Sequence, residues 1–312
     1  MMKLRPAMAE TAVMKYAAYI AVFTVMAALS AFNANGQNTT KTDAALVIKL
    51  WPANRLVIDT VQNKWVEHNS SKPSDDVIRI TGISDPTIQI FTPAHANGTA
   101  VIVCPGGGYS ILAMDKEGVE ICNWFNSFGV TAVLLKYRVP APVGMLNYQL
   151  PLQDAQRALG LVRYNAAKWG IKPGHIGIMG FSAGGHLSAA LSNNFDKRAY
   201  PAVDAADSIS CRPDFAIIVY PGYLTGKAGV GTLAPELQVT DKTPPTFLMQ
   251  TEDDPVNVEN ALYYYLALRN AKVPAEMHLY PTGGHGYGMR SKTGGTAVYP
   301  ELIKKWLADN AF

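Results

Sequence analysis

A serine stands between small residues in Gly180-Phe181-Ser182-Ala183-Gly184-Gly185, after the apolar run HIGIM and before the helix-like run HLSAALSNN. The spacing is G-x-S-x-G. A sharp turn from strand to helix needs small residues two positions either side of the serine, and it lifts the hydroxyl above the sheet edge. The plainer reading is a glycine-rich turn that packs a helix on a sheet. A serine hydroxyl is a weak nucleophile until a base takes its proton. The chain must therefore also supply a base, an acid that orients it, and backbone donors for a developing oxyanion.

In strand-to-helix sites of this type the chain order is serine, acid, histidine. Of the six histidines, His68, His95 and His175 come too early. His186 lies one helical turn past Ser182 and is expected to be structural, in the helix–sheet contact. His278 falls inside the apolar run AEMHLY, with its side chain on one sheet face. His285, in the loop TGGHGYG just after that run, is the candidate base. The acid is sought after the preceding run, TFLMQ, where the sequence reads TEDDPVNVEN. Asp253 and Asp254 both sit at that end. The D-x-x-V spacing of Asp253 to Val256 favours Asp253, and the other member of the pair is expected to cap the helix near Val256. Backbone donors for an oxyanion are expected at the helix N-terminus that begins with Ala183, and from Gly106, Gly107 or Gly108 in the loop PGGGYS after AVIVC. That loop has neither the ending of a P-loop nor the spacing of a dinucleotide fingerprint.

These residues need elements to hold them. LVIKLW (46–51), VIRI (77–80) and TIQIF (87–91) have strand character, and the last two suit an antiparallel hairpin or meander. From residue 100 the chain alternates. Apolar runs at 100–104, 130–137, 175–180, 214–220, 246–250 and 275–280 are separated by helical patterns at 118–129, 151–170, 183–193 and 258–272, with a closing helix at 301–310. Continuously apolar strands between helices predict an α/β fold with a mostly parallel central sheet covered on both faces. Ligands of such sheets bind at the carboxyl ends of the strands, where the serine, both aspartates, the glycine loop and His285 all fall.

The chain has 312 residues, 48% hydrophobic and 16% charged, a globular composition. Lys15 precedes an uncharged, apolar run ending in Ala34-Asn35-Gly36, the form of a secretory signal peptide, with Met14 as a second candidate start. Its apolar core is short for a membrane span, and the absence of a cysteine at its end argues against a lipid anchor. Residues 1–36 are thus an expected cleaved leader, 37–44 a flexible connection and 45–312 one catalytic domain, secreted or periplasmic and without stable membrane association. Removing the leader takes three basic residues and one acidic, so the net charge falls from +3 to +1. That balance does not point to nucleic acid or an anionic membrane. Cys104, Cys122 and Cys211 form neither a disulfide framework nor a zinc-ligand pattern.

Together these stretches resemble the α/β-hydrolase superfamily. Within it, they resemble secreted bacterial esterases with a hormone-sensitive-lipase-like glycine loop, including acetyl xylan and feruloyl esterases. The matching stretches are VIVCPGGGYSILAMDKEG (101–118), LPLQDAQRALGLVRYN (150–165), IGIMGFSAGGHLSA (176–189), PPTFLMQTEDDPVNVENAL (244–262) and AEMHLYPTGGHGYG (275–288). Two departures stand out: Cys104-Pro105 replaces the histidine common before the glycines, and Gln250-Thr251 replaces a common His-Gly. Proline has no N–H to donate, so the loop's donors must be glycines. The resemblance implies a Ser182–His285–aspartate triad with Asp253 or Asp254 as the acid, Gly107, Gly108 and Ala183 holding the oxyanion, an acyl-enzyme, no cofactor or metal, and an acylated carbohydrate or other ester as substrate.

Overall fold

Short runs of β-branched and aliphatic residues open the structure, a computed structural model describing residues 46–52, 65–74, 76–226, 231–291 and 294–312. The expected leader and connection lie outside the described residues. The described residues all fall in one unit, Ala45–Phe312. The first strands are β1 (Leu46–Lys49), β2 (His68–Asn69), β3 (Arg79–Thr81) and β4 (Thr87–Phe91). Next come β5 (Ala100–Cys104) and β6 (Leu112–Ala113), then a π-helical turn at Asp115–Val119 that runs into α1 (Glu120–Ser127). The alternating part continues through β7 (Thr131–Lys136), α2 (Gln149–Tyr164), β8 (Ile176–Phe181) and α3 (Ala183–Asn193). It ends with β9 (Ala216–Val219), β10 (Thr246–Thr251), α4 (Glu259–Asn270), β11 (Ala275–Tyr280) and α5 (Tyr299–Asp309).

The main sheet has eight strands in the order β1-β4-β7-β5-β8-β9-β10-β11. The first two pairings, β1 with β4 and β4 with β7, are antiparallel, and the rest are parallel. Strand side chains alternate between faces, which gives the molecule two cores. Val101 and Val103 join Ile121 and Phe125 of α1 and Ile303 and Trp306 of α5. Ile102 and Cys104 join Leu159 of α2, Leu187 of α3 and Leu268 of α4. Burial on both faces explains why the strand sequences are continuously apolar rather than alternating.

One expectation is overturned. VIRI and TIQIF do not pair with each other. β3 lies between β2 and β6 in a separate three-stranded antiparallel sheet, while β4 joins the main sheet against β1 and β7. Arg79, Ile80 and Thr81 of β3 are only half-buried, whereas Ile88 and Ile90 of β4 are core. The connecting Gly82-Ile83-Ser84-Asp85-Pro86 reverses no strand. Ile83 instead donates its N–H to Val139 O at 2.9 Å, carrying the chain from one sheet to the other.

Candidate active site

Ser182 is the hinge between β8 and α3, with φ 52° and ψ −116°. Such a backbone costs a non-glycine residue about 1–3 kcal/mol and persists only where its surroundings enforce it. They do so here with three hydrogen bonds. Ser182 N–H donates to Val219 O at 3.1 Å, and Ser182 O accepts from His186 N–H at 3.1 Å and Gly222 N–H at 3.2 Å. The flanking glycines are steric requirements. A Cβ on Gly180 would lie 1.9 Å from Gly184 O, and one on Gly184 would lie 2.1 Å from Cys104 O. Tyr109, Tyr220 and Tyr223 also have positive φ, so strain among the described residues concentrates around this serine.

His285 follows β11 in a loop where Gly283, Gly284 and Gly286 all take positive φ. Its Nε2 is 2.8 Å from Ser182 Oγ and its Nδ1 2.7 Å from Asp254 Oδ2. With the proton on Nδ1 donated to Asp254, Nε2 is free to accept from the serine hydroxyl. The Asp254 side chain is fully buried, and its Oδ1 accepts Val256 N–H at 2.7 Å.

The preference for Asp253 from the D-x-x-V spacing is therefore corrected: Asp254 faces His285. Asp253 turns outward and accepts Gly284 N–H at 2.8 Å and Gly283 N–H at 3.2 Å, bonds that hold its carboxyl below the usual range. The expected division of labour also changes, because the same Asp254 receives both His285 and the Val256 N–H. The reason is direction: consecutive residues leaving β10 point opposite ways, and only the second points at the histidine. Thr251 Oγ1 donates to Gly284 O at 2.8 Å, so the end of β10 clamps the histidine loop at a second point.

The glycine loop passes directly over the serine. A Cβ on Gly106 would lie 2.6 Å from Phe181 O and 3.0 Å from Ser182 Cβ. Gly106 N–H is already committed to Glu117 Oε2 at 2.8 Å. Gly107 (φ 139°) and Gly108 (φ 61°) follow, and a Cβ on Gly107 would strike Ile111 O at 2.1 Å. Ala183, buried, opens α3, where first-turn N–H groups have no helical partner. The structure thus brings Gly107, Gly108 and Ala183 to the same strand ends as Ser182.

His186 is buried and turned away. Its Nδ1 is 2.7 Å from Tyr109 Oη and its Nε2 3.1 Å from Glu236 Oε1. His278 pairs with Glu276 at 2.7 Å and packs on Phe247. The three cysteines are buried and free, and burial pushes each thiol up in pKa. Sequence reasoning assigned no role to Glu117, Tyr220 or Glu236. The one available signal was Glu117, an acid one turn ahead of the apolar face of α1.

A family described as BD-FAE matches residues 88–221. An acetylxylan esterase of Xylanibacter ruminicola is 34% identical over 211 residues, which is 64% of this chain and 43% of that protein. Endo-1,4-beta-xylanase B of Butyrivibrio fibrisolvens is 35% identical over 204 residues, 60% of this chain and 32% of that protein. The chain spans less than half the length of these two curated relatives. Among solved structures, the acetyl ester-xyloside bifunctional hydrolase from Caldicellulosiruptor lactoaceticus superposes with a TM-score of 0.67 at 33% identity. That likeness covers 86% of this chain and 97% of the other. The chain belongs to the α/β-hydrolase esterases. β8, Ser182 and α3 have the strand–turn–helix geometry of an α/β-hydrolase elbow, and the Gly106–Gly108 loop follows β5 beside it.

Proposed function

We propose that the protein is a serine esterase that removes acyl groups, acetyl or feruloyl, from plant polysaccharide such as xylan. The observation that carries the reading is the relay of Asp254, His285 and Ser182 at 2.7 and 2.8 Å, with the serine held at positive φ. In this reading Ser182 Oγ attacks the ester carbonyl carbon while His285 Nε2 takes its proton. Asp254 holds Nδ1–H and stabilises the imidazolium. The N–H groups of Gly107, Gly108 and Ala183 receive the oxyanion. The tetrahedral intermediate collapses, the C–O bond to the sugar breaks, and the sugar oxygen takes the proton from His285. Water, deprotonated by His285, then attacks the acyl-enzyme and releases the acid and free Ser182.

Two observations support a carbohydrate leaving group. Three similar proteins are named for activity on xylan or xylosides. Tyr223 is half-exposed, with its hydroxyl 3.7 Å from the position of a Cβ on Gly108, so a half-exposed aromatic residue that a sugar could contact stands beside the glycine loop. A leader of the kind expected over residues 1–36 would deliver the enzyme to such a polymer.

Ser182→Ala is expected to lower kcat on 4-nitrophenyl acetate by at least ~10³-fold with an unchanged circular dichroism spectrum. Undiminished turnover in that variant would sink the mechanism. Acetylated xylan, feruloyl esters, esters of increasing chain length and short peptides compared on the wild type decide the substrate class. A preference for long acyl chains or peptides would replace the polysaccharide reading by a lipase or peptidase one.

A further inference from the structure

Glu117 is a buried acid, 4% exposed, directly beneath the glycine loop. The π-helical turn Asp115–Val119 delivers it there, with Val119 N–H donating to Met114 O at 2.9 Å. Such turns are rare and frequent at functional sites. Both carboxyl oxygens accept hydrogen bonds: Oε2 from Gly106 N–H at 2.8 Å and Oε1 from the Tyr220 hydroxyl at 2.9 Å. Tyr220 Oη in turn accepts Gly288 N–H at 3.0 Å, and its ring stands edge-on to His285 with centroids 5.0 Å apart. A Cβ on Gly286, the residue after His285, would lie 3.9 Å from Glu117 Oε1. One carboxyl therefore ties together the glycine loop, the end of β9 and the histidine loop.

We propose that Glu117 is a positioning residue for ester cleavage: it fixes the glycine loop over Ser182 through Gly106 and presents a second negative charge, besides Asp254, to the imidazolium that forms on His285. This rests on the esterase reading above. Two donors on two oxygens suit the carboxylate form. Burial pushes the Glu117 carboxyl up, and the bonds from Tyr220 and Gly106, with the charges of Lys116 and His285, act against that. The titratable groups facing it are Tyr137, Tyr220, Tyr287, Tyr299, Lys116 and His285, and those touching His285 itself are Asp254, Ser182 and the Tyr220 ring.

The test is the pH profile of kcat/KM for 4-nitrophenyl acetate in wild type and Glu117→Gln. The amide removes the charge and one acceptor. Without that charge the imidazolium is less stabilised, so His285 stays a base to lower pH. The acid limb is expected to move down by at least ~0.5 unit, with kcat down ~10–100-fold and KM changed less than ~3-fold. A folded variant whose acid limb does not move overturns the proposal, whether or not its rate falls, because a merely structural role leaves the limb in place. If Glu117→Gln does not fold, Tyr220→Phe keeps the ring and the carboxylate but cuts the bridge. It is expected to lower kcat ~3–10-fold at unchanged KM, and wild-type kcat there overturns the proposal. An inert wild type brings down the esterase reading and this inference together. An active wild type that loses activity in Ser182→Ala, with an unmoved limb in Glu117→Gln, overturns this inference alone.

Discussion

Asp253 and Asp254 are identical in chemistry and adjacent in sequence, yet the fold gives them separate contacts. Asp254 is buried against His285, and Asp253 is exposed on the backbone of the loop that carries His285. Exchanging a carboxylate for an amide tests each contact with little change in shape. In Asp254→Asn the side chain can offer an N–H where His285 needs an acceptor, which favours the wrong tautomer. On the proposed mechanism kcat should fall on the order of 10³–10⁴-fold. In Asp253→Asn one acceptor for the two glycine N–H groups remains, and kcat should fall by less than ~10-fold. Steady-state rates on 4-nitrophenyl acetate for the two folded variants make the comparison, and equal losses would contradict the assignment. The sequence brought the pair to the right strand end but could not order its members. A spacing rule counts residues, and the direction of a side chain leaving a strand depends on the turn that follows.

Elements explain what single residues cannot. β8 and α3 meet at a turn so tight that the glycine positions are filled by neighbouring backbone, and Gly184 is pressed against Cys104 O and Pro105 O of the β5 end. This contact sets the distance between the elbow and the glycine loop. Gly184→Ala places a methyl group 2.1 Å from one backbone oxygen and 2.7 Å from another, and no side-chain rotation relieves it. We expect a loss of stability of about 3 kcal/mol, read as a lower urea midpoint, and a kcat loss out of proportion to it, because the loop over Ser182 must move. A variant with wild-type midpoint and rate would show that the elbow has room to yield. The elbow was legible because steric necessity is written in residue types: glycine, serine and glycine at fixed spacing. The partner of β3 was not legible. VIRI and TIQIF have the same strand character, and their separation into two sheets depends on the path of Gly82–Pro86 and on Leu112–Ala113, a strand of two residues that carries no periodic signal.

At the scale of the molecule, five neighbouring parallel strands, β5, β8, β9, β10 and β11, bring Gly106–Gly108, Ser182, Tyr220, Asp254 and His285 to one edge. The parallel order was legible from apolar runs separated by helices. The polar scaffold behind it was not, since it joins residues far apart in sequence. The segment between α3 and β9 is held against α2 by Arg157, which reaches Asp204 at 2.6 Å and Asp207 at 3.1 Å, and by Arg198 of the segment, which donates to Gln156 O of α2 at 3.0 Å. The Arg157 bond keeps the Asp204 carboxyl below its ordinary value. Burial alone would raise Asp207, but the Tyr200 hydroxyl, Val203 N–H and Arg157 more than offset it. Asp115 is lowered likewise, burial being outweighed by bonds from Lys116 N–H, Ile78 N–H and Arg290. Glu236 is lowered by His186. Each lowered carboxyl binds protons more weakly in the folded than in the unfolded chain. Its contribution is therefore present above the unfolded value, near 4, and is lost as pH falls through the folded one. Glu117, raised by burial, has the opposite sign and favours the fold toward lower pH. With five lowered groups, Asp253 included, against one raised, the urea midpoint should fall steadily from about pH 4 downward. Arg157→Gln, which removes the partner of two of the five, should start from a lower midpoint at pH 7 and lose less on acidification. A wild-type midpoint that is flat or rising between pH 4 and pH 3, or an equally steep fall in Arg157→Gln, would show that this cluster does not govern the acid stability of the fold.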